Sequence, residues 1–290
     1  MWEVFEASAA ACQVLLGSGI PTSIYSYQDG VYEDLLPFSH LLVQTFAHSV
    51  VPFHEKFYPW FASRGDYGLV QLLRCRPQSL PYLMRYAAWS GDMDLLLCLH
   101  AKGDLLSLAN LLDIASSRGH LDLLVWLHEH GYVGCTTRAM NAAAEQGHLE
   151  IVRFLHHHRM EGCTRSAMNG AMMNGHLEIV QFLHEHRTEG CTPYGMDVSA
   201  RNGHFAVVEF LHLHRTEGCT ADAMAWAAAA GHLDIVRFLN EQRDEGDAVW
   251  ATEAAATAGH RDIVRYLESH AMEEGPSDAN VVFSGRDFAF

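Results

Sequence analysis

Two residue types occur often and regularly enough in this chain to suggest chemistry. It holds 20 His and 7 Cys in 290 residues. Gly-His recurs at Gly119-His120, Gly147-His148, Gly175-His176, Gly203-His204, Gly231-His232 and Gly259-His260, each 28 residues after the last. Nine residues past a repeat glycine stand His100, His128, His156, His184 and His212. Eleven past stand His130, His158, His186, His214 and His270. Cys135, Cys163, Cys191 and Cys219 keep the same step. Rows like these raise four possibilities: metal ligation, acid–base catalysis, a disulfide ladder, or a pH sensor.

Geometry disfavours the first three. Residues two apart on a helix point about 200° apart, so His-x-His cannot chelate while helical. Equivalent positions in stacked helices lie ~10 Å apart, and a zinc–nitrogen bond is only about 2 Å. The same spacing exceeds the Cα limit of about 7 Å for a disulfide. The thiols are therefore expected to be reduced, semi-buried linker residues. The His eleven past the glycine falls in a last helical turn. There it can donate to free backbone carbonyls and, when protonated, complement the helix dipole. A metal- or pH-dependent His ladder is kept as an alternative. There is no G-x-S-x-G, Walker A or H-E-x-x-H sequence. Acid–His pairs repeat in every unit, whereas an active site is a single asymmetric constellation. The expectation is no enzyme, no catalytic residue, no metal, no cofactor and no small-molecule substrate.

The elements that carry these rows follow from the same period. Gly91-Asp92 precedes the first Gly-His by one step, and Gly65-Asp66 lies 26 residues earlier as a degraded copy. About eight units thus cover 57–270, and a fixed period over that length means a stacked array. Eight residues past each glycine stands Leu: Leu73, Leu99, Leu127, Leu155, Leu183, Leu211, Leu239 and Leu267. With apolar residues four, five and seven past the glycine, these mark one face of a helix. Before the glycine comes a second helix. Thr136, Thr164, Thr192 and Thr220 are its expected N-caps, Met stands seven before the glycine in five units, and Ala or Ser stands four before. The glycine ends that helix in a left-handed turn. The fold class expected is all-α: a solenoid of about eight stacked helix-turn-helix units.

The stretch A-M-x-x-A-A-x-x-G-H-L-E-I-V-x-F-L-H at 139–156 resembles the helix–turn–helix unit of the ankyrin-repeat family. The usual unit of that family is 33 residues, and these are 28. The missing five fall where a projecting hairpin would be, and the family's Thr-Pro-Leu-His start is absent. The resemblance implies binding of another protein through a concave face lined by the first helices.

Internal comparison of the units points to the same side. Seven and four residues before the glycine, the residue type is nearly constant. Nine, six, five and two before it, the type varies freely. The variable side offers Tyr82, Tyr86, Trp89, Arg138, Glu145, Tyr194, Arg201, Asp222, Trp226 and Trp250. Aromatics and Arg dominate interface hot spots, so these ten form the expected partner-binding face.

Composition narrows the partner. The formal net charge is −16, which repels phosphate backbones, so nucleic acid is not expected. No apolar stretch is long enough for a bilayer span. The acidic start MWEVFE lacks the basic region of a secretory signal. Seven cysteines without a C-x-x-C suggest a reducing compartment, cytoplasm or nucleus. Residues 1–56 do not repeat, with helical patterns at 3–16 and about 39–50 around a turn-rich Pro21–Gly30. They are expected to cap the array. The alternative is a docking module that would make the chain a substrate adaptor of a ubiquitin ligase, with Leu36-Pro37 as its faint signal. Residues 271–290 carry Phe283, Phe288 and Phe290 in an acidic composition without helical period, and disorder is expected there.

Overall fold

Every repeat glycine from Gly91 to Gly259 closes a helix with positive φ. Gly175 at 74° and Gly259 at 88° mark the extremes. Only a residue without Cβ takes that conformation cheaply, and the helix–Gly–helix unit follows from it. A computed structural model of the chain describes residues 27–28, 31–32, 35, 41–43, 46–102, 108 and 110–273. The expected helix at 3–16, the Leu36-Pro37 signal and the phenylalanines of the tail lie outside the described residues.

The described chain is helical apart from a two-residue antiparallel ladder, β1 (Tyr27–Gln28) with β2 (Val31–Tyr32), pairing Tyr27 with Tyr32. Two compact units emerge. One takes in the described residues up to Ile114 together with Val125–Gly134. The other takes Ala115–Leu124 and the residues from Cys135 onward.

The first unit is built on α1 (Phe46–Cys75), α2 (Leu80–Ser90) and α3 (Met93–His100). Gly65, with φ 53 and ψ −148, breaks α1 into two helices. The degraded copy is therefore a genuine helix–Gly–helix pair. Its first helix begins at Phe46 and runs across residues 56 and 57. Phe53 and Phe57 are fully buried and stack with centroids 4.7 Å apart. Burying such side chains stabilises by about 1.5–3 kcal/mol each.

Helices α4 (Leu111–Arg118) and α5 (Leu121–Glu129) are followed by four regular pairs. These are α6 (Thr137–Glu145) with α7 (Leu149–His158), α8 (Arg165–Met173) with α9 (Leu177–His186), α10 (Pro193–Arg201) with α11 (Phe205–His214), and α12 (Ala221–Ala230) with α13 (Leu233–Gln242). The last pair is α14 (Ala248–Ala258) with α15 (Arg261–Glu273), which ends three residues past the expected limit.

In the second unit the first helices α8, α10, α12 and α14 approach their neighbours more closely than the second helices do. The reason is in the residues. Ala143, Ala171, Ser199, Ala227 and Ala255 are fully buried between first helices, and small side chains shorten the interaxial distance. Second helices bury larger side chains instead, among them Ile151, Leu155, Phe182 and Leu183. The unequal spacing draws the first-helix side of this unit together.

Candidate protein-interaction face

Three ladders hold the first helices of the second unit in register, and each joins one repeat to the next. The first is built on the Gly-His pair. His176, His204, His232 and His260 donate through Nε2 to the carbonyls of Glu145, Met173, Arg201 and Ala229, one repeat upstream, at 3.1–3.2 Å. The same rings cover the preceding glycines. A Cβ added at Gly175 would stand 2.6 Å from the His204 ring, and one at Gly147 2.7 Å from His176.

The second ladder runs through the linkers. Arg159, Arg187, Arg215 and Arg243 each form an ion pair with the Glu two residues on: Glu161, Glu189, Glu217 and Glu245. Arg215 and Arg243 also donate through Nη1 to Nδ1 of His184 and His212, both at 3.3 Å. Each guanidinium borders the thiol one repeat upstream, Arg215 beside Cys191 and Arg243 beside Cys219. Burial pushes the Cys163, Cys191 and Cys219 thiols up to about 11. They stay protonated near neutral pH and are weak nucleophiles.

The third ladder clamps the helix starts. Thr136, Thr164 and Thr220 accept from the backbone N–H two residues on, as N-caps. Thr192 holds the same place ahead of Pro193 without a side-chain bond to its own helix. Asn141 accepts from Thr164 N–H at 2.9 Å and donates to its Oγ1, and Asn169 does the same for Thr192. Asp197 accepts from both Thr220 N–H and Thr220 Oγ1. The residue six before the glycine was expected on the open face. In these repeats it is a clamp between neighbours, and Asp197 is only 2% exposed. Val198 and Gly170, five before, are also buried.

The histidines eleven past the glycine act as last-turn donors. His158 and His186 donate to the carbonyls of Phe154 and Phe182 at 2.9 and 3.0 Å, and stack on those same rings with centroids 4.4 Å apart. Among the described residues no three His, Cys, Asp or Glu side chains converge as a metal site.

The ten expected face residues separate into two sets. Tyr82 and Tyr86 are core residues of the first unit, 5% and 1% exposed. They lie under α1, where Tyr82 pairs with Ser49 Oγ at 2.8 Å and Tyr86 with His54 Nδ1 at 2.7 Å. Variation between repeats mistook them for surface, because α1 covers the face there. Trp89 is half-buried against Tyr86 and His54.

In the second unit Arg138, Glu145, Tyr194, Arg201 and Trp250 are exposed, and Asp222 and Trp226 half-buried. Three of them meet. The Tyr194 and Trp226 rings lie edge to face at 6.3 Å, and the Arg201 guanidinium stands 5.8 Å from the Trp226 centroid. An exposed Tyr and Arg thus form one patch around a half-buried Trp.

Residues 111–197 and 140–218 match the family model of ankyrin repeats in three copies. The stretch 111–218 carries ankyrin repeats. Its units are joined by short linkers such as Arg187–Thr192, and no strand stands between repeats among the described residues. No curated protein matches the chain. Ankyrin repeats are protein-interaction modules, and no helix among the described residues is long and apolar enough to cross a membrane.

Proposed function

We propose that this ankyrin-repeat chain is a non-enzymatic scaffold or adaptor that binds a partner protein on its first-helix face, centred on Trp226. The observation that carries the reading is the Tyr194–Trp226–Arg201 patch, held on a backbone whose repeats are pinned to one another. Of its three members Tyr194 is 56% exposed, an aromatic area that the fold itself leaves without a cover. Arg138, Glu145, Asp222 and Trp250 extend the same face. The free thiols of all six described cysteines support an intracellular, reducing setting, cytoplasm or nucleus.

Affinity capture from native extract tests this with four proteins: wild type, Trp226→Ala, Arg201→Glu and Leu183→Ala. An aromatic hot spot contributes upwards of about 2 kcal/mol, roughly thirtyfold in affinity. Trp226→Ala and Arg201→Glu should lose partners while circular dichroism and melting stay near wild type. Leu183 is 1% exposed, and its loss should cost about 2–5 kcal/mol of local stability. Partner capture unchanged by both face variants would refute the proposal.

A further inference from the structure

The charges around Trp226 define what the partner must bring. The linker arginines are all neutralised by their own Glu neighbours. Arg201 is not: among the described residues no carboxylate lies within ion-pair distance of it, and its contact is with the Trp226 ring. It occupies the position two before the glycine, and its counterparts in the neighbouring repeats are Met173 and Ala229. Neither carries charge. Asp222, in contrast, stands one turn before Trp226 at the N-terminal end of α12. The patch around Trp226 is therefore polarised. An unpaired guanidinium stands at the C-terminal end of α10, a carboxylate at the N-terminal end of α12, and the Trp226 and Tyr194 rings beside them.

We infer that the partner presents a linear segment in which an Asp or Glu side chain engages Arg201 while an adjacent aromatic or large aliphatic residue packs on Trp226 and Tyr194. This rests on the interaction face proposed above and specifies its chemistry. A guanidinium beside an aromatic ring keeps its planar N–H fork for a carboxylate, and that bond is bidentate and charge-assisted. A basic segment would meet the unpaired Arg201 with repulsion and leave it unsatisfied. A segment of unbroken acids would meet Asp222. One acid next to one apolar anchor satisfies both ends of the patch. The carboxylate comes from a side chain within the segment, since the patch is an open face with neighbours on both sides.

The test is selection of a displayed random peptide library on the full chain, with counter-selection on Trp226→Ala. Selected peptides are then synthesised and measured by fluorescence anisotropy against wild type and Arg201→Gln. The expected pool is enriched in Asp or Glu adjacent to Trp, Phe, Tyr or Leu. Replacing that acid by its amide should weaken binding to wild type at least tenfold, and to Arg201→Gln less than twofold. An equal loss in both proteins, or a pool of neutral or basic peptides that still need Trp226, overturns the acidic segment but leaves the face standing. No enrichment dependent on Trp226 overturns both.

Discussion

Arg215 grips Glu217 two residues on, with Nε donating to Oε2 at 3.1 Å and Nη2 bonded to Oε1. The guanidinium holds the Glu217 carboxyl down to about 2, against a partial opposing effect of burial. A carboxyl depressed in the folded chain stabilises above its unfolded value, and that stability is lost as pH falls through the folded value. Glu217→Gln should cost about 2 kcal/mol at pH 7, the scale of a hydrogen bond between charged groups. The deficit should shrink as pH falls from 4.5 towards 2. Urea unfolding at neutral and acid pH measures it. A deficit independent of pH would mean the fork contributes shape and not charge.

His156 offers a test at milder acidity. It lies edge-on to Phe182 and to His186, with both centroids 5.5 Å away. Burial lowers its pKa first, and His157, Arg187 and His186 add repulsion, with Glu189 opposing. His148 is lowered likewise, by burial and then by His120 and His176. Histidines depressed in the folded state stabilise above 6.5 and lose that contribution as pH falls below it. The melting temperature of the wild type should therefore drop between about pH 7.5 and 5.5. In His156→Leu the drop should be smaller, by on the order of 1–2 °C. Identical slopes in the two proteins would remove His156 from the account.

Gly175 and His204 should behave as a coupled pair. Gly175 sits at φ 74, and an added Cβ would stand 2.6 Å from Nδ1 of His204. Gly175→Ala should cost about 1–2 kcal/mol for the left-handed backbone, plus the steric contact. His204→Ala removes the contact and the bond to Met173 O. In the His204→Ala background, Gly175→Ala should therefore add only its backbone cost. A double-mutant cycle should show coupling of about 1 kcal/mol, within the range for touching residues. Strict additivity would contradict the packing of that ring on the glycine.

The repeat period and the apolar grid were sufficient to find the helices, their glycine stops and the threonine caps, since each is a local rule repeated many times. Two kinds of residue escaped that logic. Tyr82 and Tyr86 vary between repeats as surface residues do, yet α1 packs over them, and α1 belongs to a copy with no Gly-His signature. Asn141, Asn169 and Asp197 also looked variable, because Arg85, Ala225 and Glu253 break the column outside the central repeats. Gly-His hid its role for a different reason. Its partner is a backbone carbonyl one repeat away, and a carbonyl leaves no mark on the sequence. Exposure of Tyr194 beside Trp226 was within reach of the pattern, whereas the contact of Arg201 with Trp226 depends on the stacking distance between first helices.

Asp197 gives the last prediction, through comparison with its own neighbours. Asn141 and Asn169 each offer an oxygen to the next threonine N–H and an amide to its hydroxyl. Asp197 holds the same place with a carboxylate that takes both bonds from Thr220. Burial raises its pKa above 3.8, partly offset by the Thr220 bonds, with Asp222 adding repulsion. A carboxyl raised in the folded state is penalised when ionised, so it stabilises below its unfolded value and loses that as pH rises through the folded one. Asp197→Asn removes the buried charge, and its amide can donate to Thr220 Oγ1 as in the upstream repeats. The variant should be more stable than wild type at pH 7 by about 1 kcal/mol, the scale of one net interior hydrogen bond. That gain should shrink as pH falls towards 3.8. Unfolding curves for both proteins at neutral pH and near pH 4 decide it. If the variant is less stable at neutral pH, the carboxylate is worth more to the Thr220 cap than its burial costs, and the asparagines upstream are not equivalent to it.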